Sequence, residues 1–375
     1  MTIRKLRVAF IGGGINSAVG YVHFAAIQLD NKFDVVAGAF SRHSESNRQT
    51  GEVWGVDASR IYDDWRTCVE QEKGNVDAFV VLTPTPHHFE VLETLLSLKM
   101  PVICEKALVS GPTEAKKLEL LYDANKHFLA VTFNYSGYAM VRELKDIIKR
   151  GILGDIQKIH LEMPQEGFKR PPDIAGKPSL PQAWRLKDYE VPTICLDLGV
   201  HLHHLSSYLL ELEPVETCAQ FANHSTYMGL VDDVHMLLKY PQGITGSMWM
   251  SKTAIGNRNG LRIRIFGTQG SAMWFQLNPD ELELQFNDGR REILDRAGQC
   301  SYANQFRYNR MKPGHPTGFV EAFANLYTDI HASLCNYLDG KSTDSEYVFG
   351  LEHATRGLEL FHKASISNQT GEWIK

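Results

Sequence analysis

The chain has 375 residues, of which 43% are hydrophobic and 22% are charged, values that are typical of a folded globular protein. Thirty-nine basic residues against 44 acidic ones give a net charge of −5. Since there is no basic excess to neutralise a phosphate backbone, no nucleic-acid partner is expected. No segment approaches the roughly 20 apolar residues that a membrane-spanning helix requires, so no membrane partner is expected either.

The six cysteines lie far apart and include no Cys-x-x-Cys pair. The first residues, Met1–Leu6, run directly into a strand-like segment and fit no signal peptide. These features predict reduced thiols in a cytoplasmic protein rather than a disulfide framework or a zinc site.

From Leu6 to Cys104, short apolar runs rich in β-branched residues alternate with helix-like stretches. This alternation predicts βαβ units and a parallel sheet that is buried on both faces. The predicted strands are Leu6–Ile11, Phe33–Phe40, Val76–Leu82, Val102–Cys104 and Leu129–Phe133, the last of them preceded by a helix at about Thr113–Lys126.

After about residue 135 the pattern changes to strands, several of which alternate apolar with polar residues. Such alternation predicts an antiparallel sheet with one solvated or partner-facing side. The predicted elements are a helix at Met140–Arg150, then strands at Ile156–Met163, Thr217–Asn223, Val234–Tyr240, Thr245–Ser251, Leu261–Phe266, Ala272–Leu277 and Leu282–Phe286, and two closing helices at Phe319–Leu338 and Val348–Ser365. The proline-rich stretch Phe168–Gln182 predicts a loop.

We therefore predict an α/β protein of two domains. Residues 1–134 would form a Rossmann-type, doubly wound parallel sheet that binds a dinucleotide. Residues 135–375 would form an α+β domain for substrate binding and oligomerisation, built on a large open, mostly antiparallel sheet.

A glycine-rich segment, Gly12–Ser17, directly follows the first predicted strand and precedes a helical stretch. It matches Gly-x-Gly-x-x-Ser, in which Gly12 permits a tight turn and Gly14 lets the backbone approach a pyrophosphate at a helix N-terminus. A plain glycine turn is the alternative, but its place in an N-terminal βαβ unit favours a nucleotide site.

The second predicted strand ends in Ser41 and Arg42, where an NAD site usually has an acidic residue; none occurs before Glu45. Ser41 and Arg42 could instead hold a 2′-phosphate, which favours NADP over NAD. The alternative is that Arg42 is a solvated loop charge.

Two later strands also end in polar residues. Thr83-Pro84-Thr85-Pro86-His87-His88 follows one of them and could line the cofactor, although adjacent histidines are more typical of a polar surface than of a metal site. Glu105-Lys106 follows the next, where the lysine could serve acid–base chemistry or form a solvated ion pair.

Asp197 and His201 are four positions apart and would share one face of a helix in an apolar neighbourhood. A carboxylate near an imidazole fixes its tautomer and raises its basicity, as a general base requires. The alternatives are a structural polar pair and a metal site that also includes His204.

Together these motifs resemble the family of glucose–fructose oxidoreductase, inositol dehydrogenase and rhizopine-catabolism proteins over essentially the whole chain. That family has a glycine-rich turn, then Glu-Lys-Pro, then Asp-x-x-x-His. Thr83-Pro84 with His87 or His88, Trp184-Arg185 and Phe266–Ser271 are also similar to family features. Ala107 replaces the usual proline, which is often in a cis linkage in the family.

The resemblance implies a pyridine-nucleotide oxidoreductase that acts on a secondary alcohol of a sugar, sugar derivative or cyclitol, as a homo-oligomer (dimer or tetramer) with no metal. His201 would take the hydroxyl proton, Lys106 would hydrogen-bond the reacting oxygen, and Asp197 would position the substrate or the catalytic pair. The implied cofactor-binding residues are Gly12, Gly14, Ile15, Asn16, Ser41, Arg42, Thr83, Pro84, His87, Glu105, Lys106, Trp184 and Arg185. The candidate substrate contacts are Tyr135, His201 and His204.

Two alternatives exist within the same resemblance. One is an NAD-dependent glycosidase with a transient oxidation–elimination cycle, and the other is a non-catalytic nucleotide-binding sugar sensor. The presence of Lys106, Asp197 and His201 argues against the sensor.

Overall fold

The structure is a computed structural model that describes residues 4–171, 174, 176 and 180–375. The chain packs as two compact units. The first comprises Met1–Val109, Thr113–Gly137 and Gly318–Thr355, and the second comprises Ser110–Pro112, Tyr138–Thr317 and Arg356–Lys375.

The first unit contains a five-stranded parallel sheet with strand order β2-β1-β3-β4-β5. The strands are β1 Leu6–Gly12, β2 Phe33–Ala39, β3 Ala78–Leu82, β4 Val102–Cys104 and β5 Leu129–Val131. The connecting helices are α1 Ala18–Leu29, α2 Ser44–Val53, α3 Trp65–Glu72, α4 His88–Ser97 and α5 Pro112–Leu121. The predicted doubly wound parallel sheet is confirmed. The strand order reverses at β1 and β3, whose carboxyl ends are where such sheets bind ligands.

The second unit contains an eight-stranded sheet with order β13-β12-β11-β10-β6-β9-β8-β7, in which β6 and β9 are parallel and the other neighbours are antiparallel. Its strands are β6 Ile156–Pro164, β7 Glu216–Ala222, β8 Asp233–Lys239, β9 Thr245–Ser251, β10 Arg262–Gly267, β11 Gly270–Phe275, β12 Glu281–Phe286 and β13 Arg291–Asp295. The predicted open, mostly antiparallel sheet is confirmed. β13 was not predicted, because its sequence Arg-Glu-Ile-Leu-Asp has too few apolar residues to show a period.

Four further helices follow in chain order: α6 Ala139–Lys149, α7 Val200–Leu210, α8 Phe319–Leu338 and α9 Leu351–Thr370. α5 ends five residues before the Lys126 that we predicted, and α9 begins three residues after the predicted Val348. Part of the predicted loop Phe168–Gln182, namely residues 172, 173, 175 and 177–179, lies outside the described residues. No helix in the described ranges is long and apolar enough to cross a membrane.

The stretch Gly318–Thr355, which we predicted in the second domain, packs in the first unit. The reason is hydrophobic: Phe323, Leu326 and Ile330 of α8 are buried in one cluster with Leu6 and Val8 of β1. Burial against a distant strand cannot be read from the local pattern of an amphipathic helix.

Candidate active site

The backbone of the glycine-rich turn adopts conformations that favour glycine over other residues. Gly12 has φ +83° and Gly13 has φ +74°, in the left-handed region. A Cβ on Gly12 would lie 2.7 Å from the backbone nitrogen of Thr83, which follows the neighbouring strand β3. Ser17 caps α1, and its hydroxyl accepts from Gly20 N–H at 3.2 Å. A bare backbone turn at a helix N-terminus is a cradle that fits the phosphates of a dinucleotide.

Gly20 is a functional residue that the sequence analysis missed. A Cβ on Gly20 would lie 1.8 Å from the carbonyl oxygen of Gly13, so α1 can approach the turn only with glycine there. Ser17 occupies the last position of the predicted Gly-x-Gly-x-x-Ser motif. The available signal was Gly20 itself, three residues further along the helix.

The rest of the turn is tied to the segment after β2. Gly14 N–H donates to Phe40 O at 3.0 Å, and Ile15 N–H donates to Thr50 Oγ1 at 3.2 Å. The Asn16 amide donates to Ser46 Oγ at 3.3 Å. These bonds hold the predicted phosphate-binding turn beside the loop that carries Ser41 and Arg42.

Ser41 and Arg42 lie in that loop with different surroundings. The Ser41 hydroxyl accepts from His43 N–H at 3.1 Å, while Arg42 is exposed. In the described part of the chain, Arg42 forms no ion pair. Its charge therefore faces solvent, which agrees with either reading of Arg42, the phosphate contact or the solvated loop charge.

The two histidines after β3 differ completely. The side chain of His87 is 58% exposed, whereas His88 is 1% exposed. His88 Nε2 lies 2.6 Å from Thr83 O, and Nδ1 lies 2.9 Å from Ala107 O. Burial lowers the pKa of His88, against the effect of these carbonyl contacts. Reading the pair as polar surface is right for His87 and wrong for His88.

Glu105 lies in a buried network of the first unit. Its Oε1 accepts from Thr132 Oγ1 at 2.6 Å and lies 3.3 Å from His23 Nε2, while His23 Nδ1 lies 2.7 Å from the hydroxyl of Tyr327. Burial raises the pKa of Glu105, but the contacts with His23 and Thr132 and the charge of Lys106 together outweigh it, so the pKa is lowered. Glu105 is 6% exposed and anchors the segment that carries Lys106, and its cofactor contact stays a prediction.

Lys106 follows Glu105 and is half-buried at the carboxyl end of β4. The Lys106–Ala107 peptide bond is cis. Tyr135 is 3% exposed, with its ring centroid 6.0 Å from that of Phe319. Its role as a substrate contact stays a prediction.

In the second unit, Asp197 lies in a π-helical turn, Cys195–Gly199, that continues into α7, and His201 is the second residue of that helix. The turn packs very closely: a Cβ on Gly199 would lie 2.7 Å from the ring of Phe361 and 3.0 Å from Met250 Sδ. Asp197 is 7% exposed and His201 is 5% exposed. π-Turns of this kind are frequent at functional sites.

Asp197 is held by two cations. Lys252 Nζ donates to its Oδ2 at 2.6 Å, and the Arg185 guanidinium contacts the same oxygen. Arg185 also lies over the ring of Trp184, with 4.5 Å from its central carbon to the ring centroid. The predicted pair Trp184-Arg185 is thus next to the candidate catalytic carboxylate. Lys252 was missed, although it follows a strand that we did predict.

Asp197, Arg185 and Lys252 line one small pocket of the second unit, and His201 is not among its lining residues. Convergent charged groups within apolar walls are a feature of small-molecule sites, but this pocket is far smaller than the roughly 300–1,000 Å³ of typical ones. The lining residues are Phe168, Arg185, Thr193, Ile194, Asp197, Leu230, Val231 and Lys252.

His204 does not belong to this pocket. It is 0% exposed, its ring stacks on that of Tyr208 with centroids 6.0 Å apart, and burial lowers its pKa well below the usual value. Its substrate contact stays a prediction. Among the described residues, no group of three or more His, Cys, Asp or Glu side chains could hold a metal ion.

Comparison with known proteins gives two family matches. Residues 6–133 match the oxidoreductase family with an NAD-binding Rossmann fold, and residues 141–273 match the GFO/IDH/MocA C-terminal domain. Together the two matches cover more than half of the chain.

The relatives agree with these matches. An uncharacterised oxidoreductase of Bacillus subtilis, YfiI, is 29% identical over 99% of this chain and 97% of its own length. Levoglucosan dehydrogenase of Pseudarthrobacter phenanthrenivorans is 24% identical over 84% and 83% of the two chains. The structure of an inositol dehydrogenase homologue from Azotobacter vinelandii in complex with NAD⁺ is 27% identical, with a TM-score of 0.91 over 99% of this chain and 97% of that one. A second structure of that homologue, with NADH and myo-inositol, is also 27% identical, with a TM-score of 0.88 over 99% and 98% of the two chains.

The glycine turn at the reversal of a parallel sheet and the pocket around Asp197 thus occur in a chain with both characteristic domains, and the protein belongs to the GFO/IDH/MocA family of NAD-binding oxidoreductases.

Proposed function

We propose that this protein is an NAD(P)-dependent dehydrogenase that interconverts a secondary alcohol of a sugar, sugar derivative or cyclitol with the ketone. The observation that carries the proposal is the carboxylate of Asp197, held by Arg185 and Lys252 in a small pocket, one helical turn before His201. A fixed carboxylate can accept a hydrogen bond from a hydroxyl group, and an imidazole can take its proton.

In this proposal each side chain has one task. His201 takes the hydroxyl proton, Lys106 donates a hydrogen bond to the reacting oxygen, and Asp197 accepts a hydrogen bond while remaining ionised. The nicotinamide, when bound, accepts the hydride that leaves the carbinol carbon. The proton and the hydride together account for the two hydrogens that are lost in forming the ketone.

The cofactor would be held mainly by the first unit. The turn residues Gly12, Gly14, Ile15 and Asn16 lie just before the N-terminus of α1, where the bare glycine backbone leaves room for the phosphates, and Thr83 and Pro84 follow the adjacent strand. His87, Trp184 and Arg185 remain proposed contacts. NADP is proposed over NAD because Arg42 is exposed where NAD sites usually have a carboxylate.

The substrate class is proposed from the relatives, which are named for levoglucosan and inositol. Polyhydroxylated rings suit the chemistry of these side chains, because carboxylate, guanidinium and ammonium groups are strong hydrogen-bond partners for hydroxyl groups.

We also propose a homo-oligomer, a dimer or a tetramer, formed through the open face of the second sheet. That face exposes large apolar side chains on several strands: Leu237 at 55%, Phe266 at 37% and Ile293 at 66%. These side chains are separated by polar neighbours on the same face, such as Lys158, Glu283 and Ser247, so the support for an association surface is their number on one sheet face rather than a continuous patch. We place the protein in the cytoplasm, since all six cysteines are free thiols.

The experiment that tests the function is a screen of hexoses, uronates, inositols and amino sugars with both cofactors, followed at 340 nm. Accumulation of NAD(P)H with a matching substrate is expected. Formation of a hydrolysis product without net reduction would contradict the dehydrogenase and indicate a glycosidase cycle. Nucleotide binding without any turnover would indicate a sensor.

A further inference from the structure

Lys252 lies at the edge of the second sheet where two parallel strands end. It directly follows β9, whose parallel neighbour is β6, and Ser251 is paired with Pro164 in the register of these strands. Gln165 and Lys252 therefore emerge side by side from the carboxyl ends of two parallel strands. The pocket around Asp197 lies at this edge.

The backbone and side chain of Lys252 are both fixed. Its N–H donates to Asp232 O at 2.8 Å, and its carbonyl accepts from Phe168 N–H at 2.9 Å. Its ammonium group donates to Asp197 Oδ2 at 2.6 Å and to Gln165 Oε1 at 2.7 Å. A lysine that is 9% exposed is costly unless its charge is paired, and here the partner is the candidate catalytic carboxylate.

The other charged groups near this pair come from several elements. Arg185 shares Asp197 Oδ2 with Lys252, and His201 is one turn along the helix. The carboxylate of Asp188 accepts from the N–H groups of Thr193 and Val231, and burial raises its pKa. The remaining acidic groups are engaged elsewhere: Glu166 with Gly256 N–H and Arg258, and Asp232 with the N–H groups of His224 and Ser225.

Two cations on one buried carboxylate favour its ionised form and fix its orientation. An ionised Asp197 whose Oδ2 already accepts a hydrogen bond from Lys252 has a low affinity for a proton. A proton that leaves the substrate then goes to His201.

We propose that Lys252 is a positioning residue that holds Asp197 ionised and oriented, so that Asp197 acts as a fixed hydrogen-bond acceptor and His201 as the base. This inference rests on the proposed dehydrogenase function. Lys252 thereby joins the proposed site, and Asp197 and His201, which stand together in the sequence motif, have separate roles.

The test compares Lys252→Met, which keeps the length of the side chain without the charge, with Lys252→Arg, which keeps the charge. The control is Lys239→Met, because Lys239 also pairs with a carboxylate, Glu216 at 2.7 Å, but at an exposed site of the same unit. In Lys252→Met we expect kcat to fall by roughly 10- to 100-fold. We also expect the acid limb of the pH–rate profile, which His201 sets in this proposal, to move upward by about one pH unit, because loss of the nearby ammonium charge favours the protonated imidazole. Lys252→Arg should restore the limb, and Lys239→Met should leave both quantities unchanged.

A second readout does not depend on turnover. In protein labelled with ¹³C at aspartate carboxyl groups, with Asp197→Asn to assign the signal, Asp197 should titrate at higher pH in Lys252→Met than in the wild type. If no sugar is oxidised but this shift occurs, the proposed function fails and the role of Lys252 stands. If Asp197 titrates at the same pH in both proteins, or if Lys252→Met keeps the wild-type acid limb, the role of Lys252 is wrong. Should Lys252→Met not fold, Lys252→Gln is measured in the same way.

Discussion

At the scale of single residues, His88 shows how one buried ring connects two loops. Its nitrogens lie against Thr83 O, after β3, and Ala107 O, directly after Lys106. Carbonyl oxygens only accept, and a neutral ring carries one N–H, so His88 donates to one of the two carbonyls and packs against the other. Loss of the ring leaves that buried carbonyl unpaired, at a cost of about 1–3 kcal/mol, and frees the backbone around Lys106.

We therefore expect His88→Leu to speed amide hydrogen exchange across residues 105–110 and to lower kcat more than it weakens nucleotide binding. His331→Leu is the matched control, because His331 is also a buried histidine of the first unit and lies 2.7 Å from a backbone carbonyl, that of Arg4. Equal exchange at residues 105–110 in the His88 variant and the wild type would show that His88 does not hold the lysine loop.

Arg42 gives the second prediction at this scale. Because it is exposed at the end of β2, where a carboxylate would favour NAD, Arg42→Asp should weaken NADP binding more than NAD binding. A charged contact to phosphate contributes roughly 1.5–3 kcal/mol, which is about ten- to a hundredfold in affinity. Fluorescence titration with both cofactors measures it, with Arg290→Asp, an exposed residue of the second unit, as the control. An unchanged ratio of the two affinities would remove the role given to Arg42.

At the scale of elements, the contact of α1 with the glycine turn depends on Gly20. A Cβ on this residue would lie 1.8 Å from Gly13 O, so Gly20→Ala must push the helix away from the turn. Such overpacking costs about 1–3 kcal/mol, and we expect nucleotide affinity to fall by about tenfold or more. Calorimetric titration measures the affinity. Gly167→Ala is the control, since a Cβ there meets no atom within 4 Å. Wild-type affinity in Gly20→Ala would mean that the helix N-terminus does not contact the phosphates.

The network around Glu105 links four elements: β4 through Glu105, α1 through His23, α8 through Tyr327 and the end of β5 through Thr132. The pKa of Glu105 is lowered below the usual 4.5. Its ionisation therefore stabilises the fold fully above that pH, and this stabilisation is lost as the pH falls through the folded-state value.

Glu105→Gln should thus lower the free energy of unfolding at pH 7 by roughly 3–5 kcal/mol, and the difference from the wild type should shrink below about pH 4. Urea denaturation at several pH values measures this dependence. A difference that is constant from pH 7 to pH 3.5 would show that the charge of Glu105 is not what stabilises the network.

Local patterns in the sequence predicted the elements well, because burial of a strand or a helix face leaves a period in the chain. Thus β4 and β9 have the predicted bounds, and Asp197 and His201 follow one another on helical turns as expected. Lys252 could not be predicted in the same way. Its contact with Asp197 depends on where β9 and its parallel neighbour end in the sheet, and no local pattern records such pairing.

At the scale of the whole molecule, each unit is assembled from segments that are distant in sequence. Gly318–Thr355 completes the first unit, and Arg356–Lys375 belongs to the second. The Tyr327–His23 bond shows why the predicted boundary at residue 135 missed this: the partner of a buried tyrosine in α8 lies near the start of the chain. Boundaries of this kind depend on tertiary packing, which a linear division of the sequence does not represent.

The proposed chemistry uses Lys106 and His201, which lie 95 positions apart in the sequence. General acid–base groups contribute roughly 10²–10⁴ in rate, or about 3–5 kcal/mol of barrier. Lys106→Ala and His201→Ala should each lower kcat by that order. Nucleotide binding should persist in both, since neither residue is in the glycine turn.

The double variant then tests whether Lys106 and His201 act on the same substrate oxygen. Groups that act as a unit are not additive, so the loss in the double variant should fall well short of the product of the two single losses. Circular dichroism must first show that all three variants are folded, and the pH–rate profile of His201→Ala should lack the limb near neutral pH that an imidazole base produces. Fully multiplicative losses would mean that the two residues act independently. Near-wild-type turnover in either single variant would make the assignment wrong, and Asp197 with Tyr135 would be the next pair to test.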